Sequence, residues 1–465
     1  MTTWALHNPV RAPVLCLGVA EVGLLFVSVY IAGAFVFGNL ANCEQIVGPL
    51  FPVALTISLV ILTCLIAMGL YQLHQRAYFR EVIVRVVVAV LVGIVALWIL
   101  VALLPTIRIP ASFAAATLGF GLMFLLLIRY AFLCVVDDNV FRYRTLVYGA
   151  GKASSAILDL RRRADRRGFV IVGIVPAPSD AELASHNQIL DDRRSLLEIA
   201  REKNADEIVI AMDDRRGSLP VQDLLDCKLR GFDVIDIVEF LERETGKIRI
   251  DLVRPGWLIF SPGFGAKRFS KLAKRAMDIL VATVAILIFW PLMLLIALAI
   301  KHEDGWRAPV LYRQVRVGLF GNEFVLPKFR SMREDAEADG RPVWADENDQ
   351  RVTRVGAILR KYRLDELPQF LNILRGEMSL VGPRPERPEF VNELNDRIPY
   401  YPERHTVKPG VTGWAQLLYT YGSSEDDAAE KLQYDLYYVK HQSLILDIMI
   451  VLQTVEIVLW GKGAR

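Results

Sequence analysis

Cysteine is sparse and unpaired in this 465-residue sequence. Its five cysteines, Cys16, Cys43, Cys64, Cys134 and Cys227, show no C-x-x-C and no paired spacing, which argues against both a zinc cluster and a disulfide framework. Most lie in apolar runs, where cysteine behaves as a small hydrophobe. Net charge is lacking too: 54 Lys and Arg against 51 Asp and Glu leave +3, too little to imply a nucleic-acid partner. Met1 to Pro13 lacks the basic n-region of a cleavable signal peptide, so none is expected. The length is too great for one ordinary domain and suits about three.

Hydrophobic residues make up 53% of the chain, and the excess is concentrated at the front. Four apolar runs stand out: Val14–Phe37, Ile46–Leu70, Val82–Leu104 and Phe113–Val136. Each is near the roughly 20 residues that cross a hydrocarbon core of about 30 Å. Phe37–Gln45 carries no Lys or Arg, whereas Tyr71–Arg85 carries Arg76, Arg80 and Arg85, and Arg142 and Arg144 follow the fourth run. The positive-inside rule then puts both ends of this bundle in the cytoplasm. Glu21 lies well inside a span; it either serves a function or faces a neighbouring helix. The front end reads as anchor and assembly element.

Residues 141–265 read as a Rossmann-like module. Arg144–Tyr148 is a strand leading into G-A-G-K-A-S-S-A, and Val170–Val175, Glu207–Ala211 and Asp233–Ile237 are further strands with helices between. Gly149 and Gly151 fit the first two glycines of G-x-G-x-x-G, but Ser154 takes the third place. The second strand runs into Pro176, Ala177 and Pro178, so the ribose-binding carboxylate of such sites is missing. A degenerate fold without nucleotide is favoured over a working site.

A fifth apolar run, Ile279 to Ile300, follows Lys267, Arg268, Lys271, Lys274 and Arg275 and precedes Lys301. It is long enough to span. Pro291 breaks it near its middle, after Trp290, and a crossing would put the chain's two halves on opposite sides. A helix that enters and turns back at Pro291, over about 276–300, meets both points, with arms of roughly 15–18 Å. Val310–Val317 and Glu323–Phe329 form a hairpin that delivers Lys328, Arg330 and Ser331. Either this is a solvated basic strand end or these residues meet phosphate. Leu444–Trp460, interrupted by Asp447, Gln453 and Glu456, suits a core or interfacial helix.

The richest stretch is Leu359–Glu386, in which Asp365 and Glu366 stand among Arg360, Lys361, Arg363, Arg375 and Arg384. Pro368 is tolerated in a first helical turn, so a helix is expected to start near Asp365. A helix N-terminus and basic neighbours both favour ionised carboxylates. Such a pair suits holding Mg²⁺ or attacking a phosphoryl group; an ordinary N-cap is the alternative. Pro383 and Pro385 fix the backbone around Arg384, which either readies it for a phosphate or a base or marks a plain proline-rich turn.

Residues 271–465 resemble the catalytic domain of bacterial sugar transferases, the monotopic phosphoglycosyl transferases. The resemblance rests on K-R-A-M-D from Lys274, K-F-R-S-M from Lys328, L-R-K-Y-R-L-D-E-L-P-Q from Leu359, G-E-M-S-L-V-G-P-R-P-E from Gly376, R-H-T-V-K-P-G-V-T-G-W-A-Q from Arg404 and Y-D-L-Y-Y-V-K from Tyr434. The whole chain looks like the large members of that family. The resemblance implies a membrane α plus α/β architecture: a four-helix transmembrane bundle (1–140), the Rossmann-like module (141–265) and an α/β catalytic domain with a re-entrant helix (266–465). It implies a bacterial inner-membrane enzyme with a cytoplasmic catalytic domain. A UDP-sugar, bound with Mg²⁺, gives its sugar-1-phosphate to Asp365 and then to undecaprenyl phosphate, with release of UMP, as a first membrane step of exopolysaccharide, capsule or O-antigen synthesis. Glu366 helps hold Mg²⁺ or orient Asp365. Lys328, Arg330, Arg360, Arg384, Arg404 and Asp435 serve the substrates. Membrane lipid and a homodimer partner are expected, and nucleic acid is not. Two other classes stay open: a membrane-anchored nucleotide-sugar dehydratase, which would need an intact dinucleotide fold, and a non-enzymatic scaffold for polysaccharide export.

Overall fold

The computed structural model describes the chain apart from residues 1–11, 69, 72–78, 104–109, 136–141, 161–164, 166–167, 179, 181–188, 191–193, 216–218, 265–267, 334–350, 420–423 and 461–465. It divides into two units, Met1–Thr245 and Gly246–Arg465, so residues 246–265 belong with the second.

The front of the first unit is helical: α1 (Ala12–Phe37), α2 (Leu40–Val47), α3 (Leu50–Ala67), α4 (Phe79–Leu103) and α5 (Ala111–Val135). The second apolar run of the sequence is divided. Asn39 caps α2 by accepting from the Ala41 and Asn42 amides, and Gly48, at φ 93°, ends it before Pro49. The two helices meet at 77°. Among the described residues of this front end, Leu15–Phe37 and Ala111–Phe132 are each long and apolar enough to cross a membrane, the bent pair is so only if its two helices are counted as one span, and α4 contributes a shorter apolar stretch, Arg85–Val101. Glu21 faces a neighbouring helix: it is buried, ion-paired with Arg129 of α5 at 2.7 Å, and accepts the Tyr71 hydroxyl. A carboxylate and a guanidinium inside apolar helices are tolerable because each neutralises the other.

After these helices in the chain comes a parallel four-stranded sheet, β1 (Tyr143–Tyr148), β2 (Phe169–Val175), β3 (Glu207–Ile210) and β4 (Asp233–Asp236), in the order β2-β1-β3-β4. Short helices connect the strands: α6 (Lys152–Leu158), α7 (Leu196–Glu202) and α8 (Val221–Leu229), with α9 (Ile237–Thr245) after β4. Leu146, Ile208, Ile199 and Ala200 are among the buried residues of the core. Glu207, fully buried, is matched by Thr145 at 2.6 Å and by two nitrogens of Arg243 at 2.8 and 3.0 Å.

The second unit begins with α10 (Pro255–Phe260) and is built around α11 (Arg268–Asp304), 37 residues, or about 55 Å if straight. Pro291 lies inside this helix and does not end it, although it offers no N–H to the Leu287 carbonyl. Both ends of α11 pack on the same unit. Near its start, Lys274 pairs with Asp447 at 2.7 Å, Arg275 donates to the Ile373 and Leu374 carbonyls, and buried Asp278 accepts from Ser379 and the Leu380 amide. At its end, Asp304 pairs with Arg330 at 2.6 Å, and Glu303 accepts the Arg354 and Val355 amides. Between them the apolar surface is open, with Leu287 66% and Trp290 57% exposed.

The strands β5 (Leu311–Val317) and β6 (Glu323–Phe329) form the expected antiparallel hairpin. Phe324 and Leu326 of β6 join Ala282 in one core cluster, while Phe329 joins Ile296 and Ile300 in another. After α12 (Arg354–Lys361) come a 3₁₀ turn (Leu364–Gln369), α13 (Phe370–Arg375), β7 (Ser379–Val381), α14 (Pro388–Arg397), β8 (Gly410–Thr412), α15 (Trp414–Leu418), α16 (Glu425–His441) and α17 (Leu444–Trp460). Parallel β7 and β8 come close enough that a Cβ on Gly382 or Gly410 would meet backbone at 2.2 or 2.1 Å; only glycine allows that approach. A Ser424–Asp427 capping box starts α16. α17 is fixed by Asp447, which is fully buried between Lys274 and the Tyr438 hydroxyl.

Candidate functional site

Two regions carry phosphate-site signatures, and they differ in what already fills them. In the first unit, Gly149 takes φ +117° and lies against the Ala211 carbonyl, so the chain turns as such a loop must. The amides beyond it are occupied by the protein's own carboxylates. Asp213 accepts from Lys152 N at 2.9 Å and Ala153 N at 2.7 Å, and Asp180 accepts from Ala150 N at 2.6 Å. A dinucleotide phosphate would have to displace Asp213.

The second region is built by three segments that meet at Glu366. Pro368 cannot donate to the carbonyl one turn back, and Leu364–Gln369 winds as a tight 3₁₀ turn rather than as the α-helical start expected near Asp365. Arg363, at φ 53°, makes the entry. The turn presents two adjacent carboxylates, both largely buried. β6 supplies Lys328, whose Nζ lies 3.3 Å from Glu366 Oε1. The Pro383–Pro385 segment supplies Arg384, whose Nη2 lies 3.0 Å from the same oxygen.

The carboxylates therefore differ. Burial alone would raise the Glu366 pKa, but Arg384 and Lys328 outweigh it and hold it at about 2. Burial raises the Asp365 pKa, with Lys328 opposing and Glu366 reinforcing. The basic neighbours expected to favour ionised carboxylates do lower both pKa values; at Glu366 they outweigh burial, and at Asp365 burial outweighs them. Among the described residues, no hydrogen bond reaches the Asp365 side chain, so its oxygens are available to a ligand. Burial lowers the Lys328 pKa, partly offset by Glu366.

The other expected site residues divide. Arg360 is close enough to favour a charged Asp365. Arg404 lies one layer behind: buried, it pairs with Asp435 at 2.8 Å, donates to the Tyr401 hydroxyl at 2.7 Å, and donates to the Arg384 carbonyl at 3.1 Å. Arg404 and Asp435 thus brace the segment that carries Arg384. Arg330 is engaged by Asp304 at the end of α11. Lys361 lies over the Tyr362 ring, and Arg375 is exposed at the end of α13. Lys408 sits by Arg275 against Gly376. Arg316 is a residue that motif reading passed over. It lines the same pocket as Lys328, Glu366 and Arg384. Strand alternation was its signal: Arg316 faces Phe324, and Lys328 faces Tyr312, an even number of residues away, so both side chains share one face.

Among the described residues no group of three His, Cys, Asp or Glu could hold a metal ion by itself. Mg²⁺ does not need one, since it is commonly held by one or two carboxylates with substrate phosphates and water. Asp365 and the second oxygen of Glu366 are hard-oxygen donors of that kind, Oε1 of Glu366 being engaged by Lys328 and Arg384.

The family model described as "Bacterial sugar transferase" matches residues 269–461. The chain is 44% identical over 242 residues to a UDP-N-acetylgalactosamine-undecaprenyl-phosphate N-acetylgalactosaminephosphotransferase of Aeromonas hydrophila, covering 51% of this chain and 55% of that one. It is 44% identical over 196 residues to a UDP-glucose:undecaprenyl-phosphate glucose-1-phosphate transferase of Caulobacter vibrioides, covering 42% and 72%. It is 41% identical over 207 residues to the exopolysaccharide production protein ExoY of Rhizobium meliloti, covering 42% and 88%. The chain thus spans only about half the length of the Aeromonas relative.

The Glu366 ion pairs predict a pH signature. Its folded pKa lies below the unfolded value, so its stabilisation is complete above the usual glutamate pKa of 4.5 and fades as pH falls towards about 2. Comparing thermal unfolding of the wild type and Glu366→Gln across that window should show a flatter acid limb for the variant. The difference at neutral pH should be at most about 3 kcal/mol. Parallel acid limbs would contradict the assignment.

Proposed function

The chain belongs to the bacterial sugar transferase family, and from that premise we propose that it transfers a sugar-1-phosphate from a UDP-sugar to undecaprenyl phosphate at the cytoplasmic membrane face, releasing UMP. The observation that carries this reading is the division between the two carboxylates. Glu366 is committed to Lys328 and Arg384, whereas Asp365 is a buried carboxylate with open lone pairs beside those same cations. In the reading, an Asp365 oxygen attacks the phosphorus that bears the sugar. The bond from that phosphorus to the bridging oxygen breaks, and UMP leaves with the oxygen. A phosphate oxygen of the lipid then attacks the same phosphorus, and the Asp365 carboxylate leaves, regenerated. Neither transfer changes the net charge of the reactants, so a fixed set of cations serves both. Lys328 and Arg384 orient the diphosphate and offset its charge, and burial excludes water that would hydrolyse the acyl phosphate. Mg²⁺ held by Asp365 and Glu366 would add charge neutralisation on the diphosphate.

The relatives' names support the substrates: UDP-N-acetylgalactosamine for one and UDP-glucose for another. Which sugar this chain takes is an experimental matter, while production of exopolysaccharide or a related surface glycan fits the ExoY likeness. The chemistry is assigned to residues 266–465. A relative matched over 88% of its length by 42% of this chain has room for little else. The front unit, read as a four-span bundle with the bent pair as one span, then serves as anchor and site of homodimerisation. The dehydratase alternative loses support because Asp213 and Asp180 fill its glycine loop.

We read α11 as re-entrant, bending within the membrane around Trp290 and Pro291. Support comes from its two ends, which are both held by polar contacts to the same folded unit. Both ends are also basic, with Lys271, Lys274 and Arg275 at one and Lys301 at the other, as expected where both face the cytoplasm.

Two experiments test these readings. Asp365→Asn keeps the shape but removes the attacking charge; UMP release and lipid product should fall by several powers of ten, about 1.4 kcal/mol for each. Retention of UMP release within tenfold of wild type, screened with UDP-glucose, UDP-galactose and their N-acetylated forms, would count against Asp365. For topology, single cysteines at Lys271 and Glu303, in a background with the native cysteines replaced, should both react with a membrane-impermeant maleimide only in inside-out vesicles. Labelling from opposite sides would contradict a re-entrant α11.

A further inference from the structure

Arg316 stands apart from every residue assigned above. Its side chain is only 17% exposed. One terminal nitrogen donates to the Pro385 carbonyl at 3.1 Å and lies 3.6 Å from Glu386, and the other donates to Gln314 at 2.5 Å. Among the described residues its Nε is buried without a hydrogen-bond partner. A buried unsatisfied donor on a charged group is costly, and a fold that retains one has a use for it or fills it when working. The location indicates the use. Arg316 lines the small pocket whose other walls include Lys328, Glu366, Gln369, Arg384 and Pro385. Three cations therefore converge on one pocket in which Glu366 is the carboxylate that meets two of them. Burial, opposed by Glu386 and aided by the nearby Arg384 and Arg387, lowers the Arg316 pKa to about 10.

We propose that Arg316 is a third anion contact of this pocket, its Nε–H donating to a phosphate oxygen of the bound diphosphate alongside Lys328 and Arg384. The proposal rests on the transferase reading and deepens it by naming a contact. A phosphate oxygen there satisfies the orphaned donor. It also balances the excess positive charge and leaves the Nη contacts to Pro385 and Gln314 in place. Those contacts give Arg316 a second capacity, since the Pro385 carbonyl belongs to the segment that carries Arg384. A test must separate direct contact from support of Arg384.

The full chain in nanodiscs is titrated with UDP, as wild type, Arg316→Gln, Arg384→Gln and the double variant. Loss of a charge-assisted hydrogen bond should weaken UDP binding by about tenfold to a hundredfold in Arg316→Gln. Because a direct contact does not run through Arg384, Arg316→Gln should still weaken UDP binding several-fold on the Arg384→Gln background. If Arg316→Gln binds UDP within about twofold of wild type, or its effect vanishes on the Arg384→Gln background, Arg316 is a structural prop and the proposal is wrong. Should Arg316→Gln fail to fold, Arg316→Lys keeps a cation while removing the Nε–H. It should still bind UDP about tenfold more weakly, and unchanged binding would overturn the proposal. A wild-type chain that binds no UDP would strike the transferase reading itself, whereas normal wild-type binding with indifferent Arg316 variants would strike this inference alone.

Discussion

One buried oxygen, Glu366 Oε1, holds the site together by receiving Lys328 from the hairpin and Arg384 from the loop after β7. A carboxylate buried to this degree stays charged only if cations come to it, and two cations stay buried only around a carboxylate. That mutual requirement joins three segments remote in sequence into one pocket. It also differentiates neighbours. Burial weighs most on both carboxylates, but at Glu366 the cations together outweigh it, whereas at Asp365 they do not. Two adjacent acidic residues thereby differ in their electrostatics: Glu366 is held charged by two cations, and burial raises the pKa of Asp365.

The Glu366 ion pairs are themselves supported from behind. Arg404 is fixed by Asp435 and Tyr401 and donates to the Arg384 carbonyl, so the backbone under the pocket's outer cation is held by a buried guanidinium. Close packing of Gly382 against Gly410 brings β7 and β8 together just before that segment. On the other side, α11 closes the arrangement with polar contacts at both ends: Asp278 to β7, and Asp304 to Arg330 at the end of β6. An apolar helix tethered twice to one unit ties the pocket's walls to the exposed apolar surface between the tethers.

Much of this was legible in the sequence. The apolar runs, the parallel strands and the hairpin follow from hydrophobic period and turn residues, and Asp365, Glu366, Lys328 and Arg384 follow from motif and charge. What escaped depended on partners far along the chain. Nothing near Gly149 reveals that Asp213, some sixty residues on, occupies its loop amides. The ionisation of Asp365 depends on burial, which local charge does not report. Arg330, Arg404 and Asp435 look like ligand residues in a motif, yet their contacts are to one another's surroundings inside the protein. The Gly48–Pro49 bend and the continuity of α11 through Pro291 show the two sides of proline: beside a glycine in a cap it separates helices, and within a long apolar stretch the helix closes around it.

The central claim is that Asp365 bears the sugar phosphate between two half-reactions while Glu366 does not. The most direct test incubates the wild-type enzyme with UDP-sugar labelled in the phosphorus next to the sugar, with no lipid acceptor, then quenches and maps the label by peptide mass spectrometry. The account predicts label on the peptide containing Asp365, lost on addition of undecaprenyl phosphate with formation of labelled lipid, and no label in Asp365→Asn. UMP formed only when both substrates are present, with no label on protein in an enzyme that turns over normally, would contradict it and leave direct transfer between the two substrates.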